Sequence, residues 1–205
     1  SHVRGIVRAL AEEKCSLVLF ANGWTSKSGD TVEFVYVPLV KTPGLFALSF
    51  GLFSPFVIGL RLLRQRPDFI VARYHKFILL LLIVSKLFRI QLILEVNSDI
   101  RSERLVAGSG ALRNRVDSWL EKLSYRAASG IVAVSNSVGA SIRARFPALT
   151  TPVEIVANGV DTAIYYPRPR EECCRALAVD PQRQTIAFVG AFQKYQGIPT
   201  LLEAL

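Results

Sequence analysis

The chain of 205 residues is 51% hydrophobic and carries 25 Lys plus Arg against 16 Asp plus Glu, a formal charge of +9. This composition excludes a disordered chain, a collagen and a coiled-coil rod, and it supplies a globular core. Three cysteines (Cys15, Cys173, Cys174) and two histidines (His2, His75) give neither a disulfide framework nor a metal-ligand spacing, so a reducing compartment and no metal are expected.

Val3, Ile6, Val7 and Leu10 recur at helical spacing and predict a helix over residues 2 to 13. Ser16 to Ala21 reads as a buried strand ending at the turn pair Asn22-Gly23, and Val32 to Val37 as a second strand. From Thr42 to Leu60, 19 consecutive residues are uncharged, against the roughly 20 apolar residues that a membrane span needs. Pro43, Pro55 and three glycines interrupt that run, and Arg61, Arg64 and Arg66 close it, so an interfacial or buried helix is expected instead of a span. Arg66-Pro67-Asp68 then breaks into a strand over Phe69 to Ala72. A helix over 76 to 88 follows, its apolar block Phe77 to Val84 trailed by Lys86 and Arg89, and then a strand over Gln91 to Val96. Further on, the pattern predicts a helix over 110 to 128, a strand Gly130 to Val134, a helix Val138 to Arg145 and a strand Val153 to Val156. A proline-containing stretch near 162 to 170, a short helix and a strand Thr185 to Val189 follow. Ile198, Leu201, Leu202 and Leu205 end the chain at helical spacing, and the periodicity at both ends suggests a piece of a longer polypeptide.

Continuous Val/Ile/Leu/Phe runs imply strands buried on both faces, and strand-helix alternation implies right-handed parallel crossovers. The expected fold is therefore α/β, a doubly wound parallel sheet. Residues 1 to 165 form a Rossmann-like domain, 166 to 182 a linker region and 183 to 205 the beginning of a second such domain. Charge is uneven: residues 1 to 150 hold 20 Lys and Arg against 10 Asp and Glu, and the remainder 5 against 6. An anionic partner fits that asymmetry, as does ordinary solvated charge. The cations beside both apolar helices point to an anionic membrane surface, whereas no motif supports nucleic-acid binding.

Ligands of such sheets bind beyond the carboxyl ends of the strands. There the sequence places Arg73 and His75, then Glu95 and Asn97, then Ser135. Arg and His can bind phosphate or hydroxyl groups and a Glu/Asn pair can hold a sugar, although an ordinary surface pair accounts for Arg73 and His75 equally well and helix capping for Ser135. Asn158-Gly159-Val160-Asp161 is a turn whose glycine permits a positive φ. Gly190 to Gly197, with Lys194 and Gln196 between, joins a strand to a helix, where backbone N–H groups can cradle a diphosphate; a plain connection is the simpler reading of those residues alone.

The order of these segments resembles the family 4 retaining glycosyltransferases of GT-B fold over nearly the whole chain. The likeness rests on Glu95-Val96-Asn97, on Val132-Ala133-Val134-Ser135, and above all on Val156-Ala157-Asn158-Gly159-Val160-Asp161 with Pro167 beyond, leading to Phe188-Val189-Gly190 and Gly197-Ile198. The resemblance implies an N-terminal acceptor domain followed by the first strand and helix of a donor domain, with Asn158, Gly159 and Asp161 near the interdomain crossing. It implies transfer of a sugar from a nucleotide-sugar, with retention and without metal or other cofactor, to a sugar, a lipid-linked acceptor or a polysaccharide precursor. By the same resemblance Arg73, His75, Glu95, Asn97 and Ser135 line the acceptor cleft, and Gly190, Lys194, Gln196 and Gly197 bind the donor.

Two departures from the family pattern stand out. Ala191 and Gln196 replace the usual donor-diphosphate Arg and Lys, leaving Lys194 as the nearby charge. Asn97 replaces a frequent His, which keeps hydrogen bonding but ends acid-base work, since an amide does not titrate; no residue is assigned as catalytic. The piece alone is expected to be inactive, and the whole protein cytoplasmic, peripheral at the inner face of the membrane. A nucleotide-sugar epimerase of the same architecture and a non-catalytic membrane-surface product are the alternatives.

Overall fold

The computed structural model describes residues 2–21, 32–38, 42, 45–98, 110–190, 192 and 196–204. Helix α1 (His2–Glu12) turns Ile6, Val7 and Leu10 partly inward and leads to β1 (Leu17–Ala21), which pairs in parallel with β2 (Val32–Tyr36), Leu17 opposite Val32. Next come α2 (Leu45–Leu62), β3 (Phe69–Arg73), α3 (Leu79–Leu87), β4 (Gln91–Val96), α4 (Ala111–Ala127), β5 (Gly130–Ala133), α5 (Asn136–Arg145) and β6 (Val153–Ile155). Strands β3 to β6 form a four-stranded parallel sheet in chain order, and β1 with β2 a separate two-stranded one. The predicted α/β class stands.

Strands that join a sheet in chain order through right-handed crossovers place their connecting helices on one face. Helices α3, α4 and α5 therefore form one layer, which α2 extends by packing along α3. The core lies between this layer and the sheet: Leu62, Leu82, Tyr125 and Ile142 from the helices close on Leu92, Leu94, Val96, Ile131 and Ala133. Gly51 of α2 lies against Phe77, where a Cβ would overlap the Cβ of the phenylalanine.

Two expectations are corrected. Strand β3 is half-buried on one face, through Ile70 and Ala72, and open on the other, with Phe69 46% and Val71 48% exposed. It is an edge strand, and the right-handed crossovers leave its second face without a helix from the α2–α5 layer. Residues 185 to 189 form no strand and are exposed. High strand propensity makes an element only when a neighbouring strand takes up the backbone N–H and C=O groups, and none does so among the described residues. The linker region carries a short helix, α6 (Arg170–Ala176), which buries no residue, and α7 (Ile198–Glu203) follows Gly197.

Helices α4 and α5 are joined by a buried polar network. Tyr125 Oη donates to Glu121 Oε1 (2.9 Å), Arg145 Nη1 donates to the same oxygen (3.0 Å), and Arg145 Nη2 is paired with Oε2. The Tyr125 ring meets Tyr74 and Phe146 edge-on at 5.4 and 5.6 Å between centroids. Burial first, and then the Glu121 carboxylate, raise the Tyr125 hydroxyl pKa far above its ordinary value, so it stays a donor. Removing one partner of a buried pair strands the other, which typically costs about 3–5 kcal/mol. Arg145→Met should lose stability of that order in urea unfolding, whereas Arg145→Met with Glu121→Gln, which keeps an acceptor for Tyr125, should recover most of it. Gly51→Ala should cost about 1–3 kcal/mol by overpacking against Phe77, read from the same unfolding curves.

Candidate functional site

The carboxyl ends of β3, β4 and β5 lie side by side. Arg73 is registered opposite Glu95, Tyr74 N donates to Glu95 O (2.8 Å), Val96 is opposite Ala133, and Val134 N donates to Val96 O (3.2 Å). Side chains alternate along a strand. Leu94 and Val96 point into the core, so Arg73 and Glu95 share the other face of the sheet. Arg73 is exposed and Glu95 is buried. Asn97, just past the end of β4, is half-buried; its Oδ1 is shielded from solvent and accepts no hydrogen bond from any described residue. A shielded acceptor without a donor is destabilising, and one at the rim of a strand end is suited to a ligand hydroxyl or amide.

His75 turns away from this cluster towards α2, where its ring meets Phe50 edge-on at 5.7 Å. Burial lowers its pKa from the ordinary 6.5, so the imidazole is neutral at pH 7 and serves as donor or acceptor, not as a cation. Nothing in the local sequence marks Phe50, which is one residue of a long apolar run. Ser135 is the N-cap of α5: its Oγ accepts from Val138 N (3.2 Å) and meets the Ser137 hydroxyl at 2.9 Å. The structure thus brings Arg73, Glu95 and Asn97 together, sets His75 to one side and employs Ser135 in capping.

At Asn158-Gly159 the chain is not in a turn, and Gly159 does not adopt a positive φ. The bend comes later. Asp161 Oδ1 accepts from Ala163 N (3.0 Å), and its carbonyl accepts from Ile164 N and Tyr165 N. An aspartate that binds its own downstream backbone makes such a turn without left-handed geometry. Of the donor-side residues, Lys194 lies outside the described residues. A Cβ at Gly190 would lie 3.8 Å from Gln196 Oε1, which brings the two ends of that loop near each other, and Gly197 has φ +68°, a conformation that glycine permits.

A recess of about 170 Å³ lies between the C-terminal parts of α4 and α5, lined by Lys122, Arg126, Arg145 and Phe146 among others. It stands at the amino ends of the strands, away from the polar rim. No cluster of three or more metal-binding side chains occurs, and no helix is long and apolar enough to cross a membrane, among the described residues.

Parallel α/β domains with a polar rim at their strand ends are the units from which GT-B architectures, among others, are built. The apo structure of Phytolacca americana UGT2 superposes on 84% of this chain and 50% of its own, with a TM-score of 0.53 at 11% sequence identity. The chain belongs to glycosyltransferase family 4, whose family model matches residues 1–164. Curated relatives include an alpha-maltose-1-phosphate synthase of Mycolicibacterium smegmatis, 35% identical over 94 residues that make up 44% of this chain and 24% of the relative. Spore coat protein SA of Bacillus subtilis is 35% identical over 82 residues, 37% of this chain and 22% of its own length. The matched stretch thus spans about a quarter of these relatives.

The lowered His75 pKa has a consequence for stability. Below pH 6.5 the unfolded chain takes up a proton that the folded chain resists, so stability falls as pH drops through that value and is level above it. The urea midpoint should therefore decrease from pH 7.5 to about pH 5, and His75→Gln should flatten this part of the profile. An unchanged slope in His75→Gln would assign the effect to other groups.

Proposed function

We propose that this chain is the acceptor-side domain of a glycosyltransferase that moves a sugar from a nucleotide-sugar to a hydroxyl acceptor, with retention at the anomeric carbon and without a metal. Membership of family 4 supports the reaction class. The observation that carries the acceptor role is the shielded Asn97 Oδ1, which no described residue partners, next to Glu95 and Arg73 at the strand ends. In this reading Asn97 Oδ1 accepts from an acceptor hydroxyl, the Glu95 carboxylate orients a second hydroxyl, and Arg73 attracts a phosphate or other anionic group on the acceptor.

The leaving group is a nucleoside diphosphate, which carries its charge away stabilised by positive groups and backbone N–H donors. Gly190, Lys194, Gln196 and Gly197 would take part in that task, and nothing in the step requires a titrating group at position 97. A lipid-linked acceptor or a polysaccharide precursor is the acceptor class that best suits a basic domain with apolar helices, working at the inner face of a membrane.

The test is to incubate the complete gene product with a panel of nucleoside-diphosphate sugars and acceptors, in EDTA, and to read the product anomer by NMR. Transfer with retention in EDTA is expected. Asn97→Ala should lower kcat/KM by about ten- to a hundredfold, the equivalent of one lost buried hydrogen bond. Inversion, a strict metal requirement, or an unaffected Asn97→Ala would each overturn the corresponding part of the reading.

A further inference from the structure

The layer α2–α5 has an unusual division of charge. Its four helices contain two carboxylates, Asp117 and Glu121, and both are buried. The exposed charges on α3 and α4 are all cations: Lys86, Arg113, Arg115, Lys122 and Arg126. Arg64, Arg66 and Arg89, just past the ends of α2 and α3, are exposed as well. Positive charge at helix C-termini complements the macrodipole, but this explains neither the basic residues in the first turns of α4 nor the absence of an exposed carboxylate from the described residues of these four helices; Asp68, in the loop after Arg66, is exposed.

Between the cations the same outward face is apolar. On α2, Leu52, Phe56, Leu60 and, one residue past its end, Leu63 follow one another at helical spacing and are 51–71% exposed. On α3 the outward residues are Leu80, Ile83 and Leu87, the last 78% exposed, and on α4 they are Leu112, Val116 and Trp119. Isolated exposed apolar residues need no explanation, but three parallel stripes on neighbouring helices make a contiguous patch that calls for a partner.

We propose that the outer face of the α2–α3–α4 layer docks on an anionic lipid bilayer, with the leucines, Phe56 and Trp119 entering the headgroup boundary and the flanking Lys and Arg meeting lipid phosphates. Charge complementarity selects this occupant. A second copy related by a two-fold axis would set cations against cations, whereas a bilayer supplies both an apolar interior and a dense anionic surface. A tryptophan and long basic side chains are the residues suited to that boundary. The inference does not rest on the transfer reaction, because the binding needs neither donor nor acceptor.

The experiment is vesicle co-sedimentation of the 205-residue chain at about 0.1 M salt, with phosphatidylcholine alone and with about three-tenths phosphatidylglycerol. Binding to the anionic vesicles only is expected. Lys86→Gln with Arg115→Gln and Lys122→Gln should weaken it on the order of 100-fold, about fivefold for each charge. Leu63→Gln with Leu87→Gln, both at exposed positions, should weaken it about tenfold or more while leaving the circular dichroism unchanged. In a Trp24→Phe background, brominated lipid should quench Trp119 fluorescence. The idea is overturned if anionic vesicles do not retain the chain, if neither substitution set alters retention, or if Trp119 stays unquenched. A soluble dimer that the leucine pair dissolves, with vesicles ignored, would assign the face to a second copy and overturn it too.

Discussion

Right-handed crossovers between parallel strands are the constraint on which the rest of the molecule depends. Because β3 to β6 enter the sheet in chain order, every connecting helix must return on the same side. All strand carboxyl ends therefore meet at one end, all helix C-termini at the other, and the outer surfaces of the helices merge into one face. The polar rim formed by Arg73, Glu95 and Asn97 is a product of the first alignment. The basic and apolar face of α2, α3 and α4 is a product of the third.

The buried network at Glu121 links these consequences. A carboxylate on a helix in an otherwise basic layer could be expected to face solvent beside a cation. Here Glu121 is turned inward, where Arg145 of α5 and the Tyr125 hydroxyl satisfy it, and Asp117 one turn earlier is buried too. Ion pairs of this kind contribute little net stability against an apolar replacement, because desolvation offsets the attraction. Their effect is on arrangement: with the acids withdrawn, Arg115, Lys122 and Arg126 keep an outer face that no described carboxylate neutralises, and α5 is held in register with α4. Arg61 differs, since it is paired with Glu33 of β2 and ties α2 to the first, smaller sheet.

Local pattern carried much of this into the sequence. The strands from Phe69 to Ile155 are short apolar runs bounded by breakers, and their ends named Arg73, Glu95 and Asn97 directly. What local pattern lacks is knowledge of partners. Residues 185 to 189 have the composition of a strand, but a strand is defined by its neighbour, and none among the described residues pairs with it. The one-sided burial of Phe69 and Val71 depends likewise on what covers a face. Glu121 and Arg145 are 24 residues apart, so their pairing follows from the packing of two helices and from nothing within either. His75 looked like a member of the rim by position, yet its neighbour Phe50 comes from a different helix. Ser135, by contrast, carries its capping role in the local chain, where the residue three positions on supplies the donor.

Geometry also relates the two proposals. Helices of the layer run antiparallel to the strands, so their N-termini stand at the level of the polar rim. Helix α4, with 17 residues, is about 25 Å long at 1.5 Å per residue, and its outward residues Leu112 and Arg115 lie in its first turns, at the rim end. The apolar stripe thus extends from the amino ends of the strands up to the carboxyl ends where Asn97 and Glu95 sit. Arg73 and Glu95 lie on the face of the sheet opposite these helices, so an acceptor whose hydrocarbon chain stayed in a bilayer along the helix face would have to carry its polar head over the strand ends to reach them. The extraction of a long lipid chain into water, which costs roughly 0.8 kcal/mol for each methylene, would then be avoided. A water-soluble acceptor would gain nothing from the same arrangement, and the apolar stripes would then be a liability with no offsetting contact. The stripe at the rim end of α4 is the feature on which the proposed lipid-linked acceptor and the proposed membrane surface would both depend.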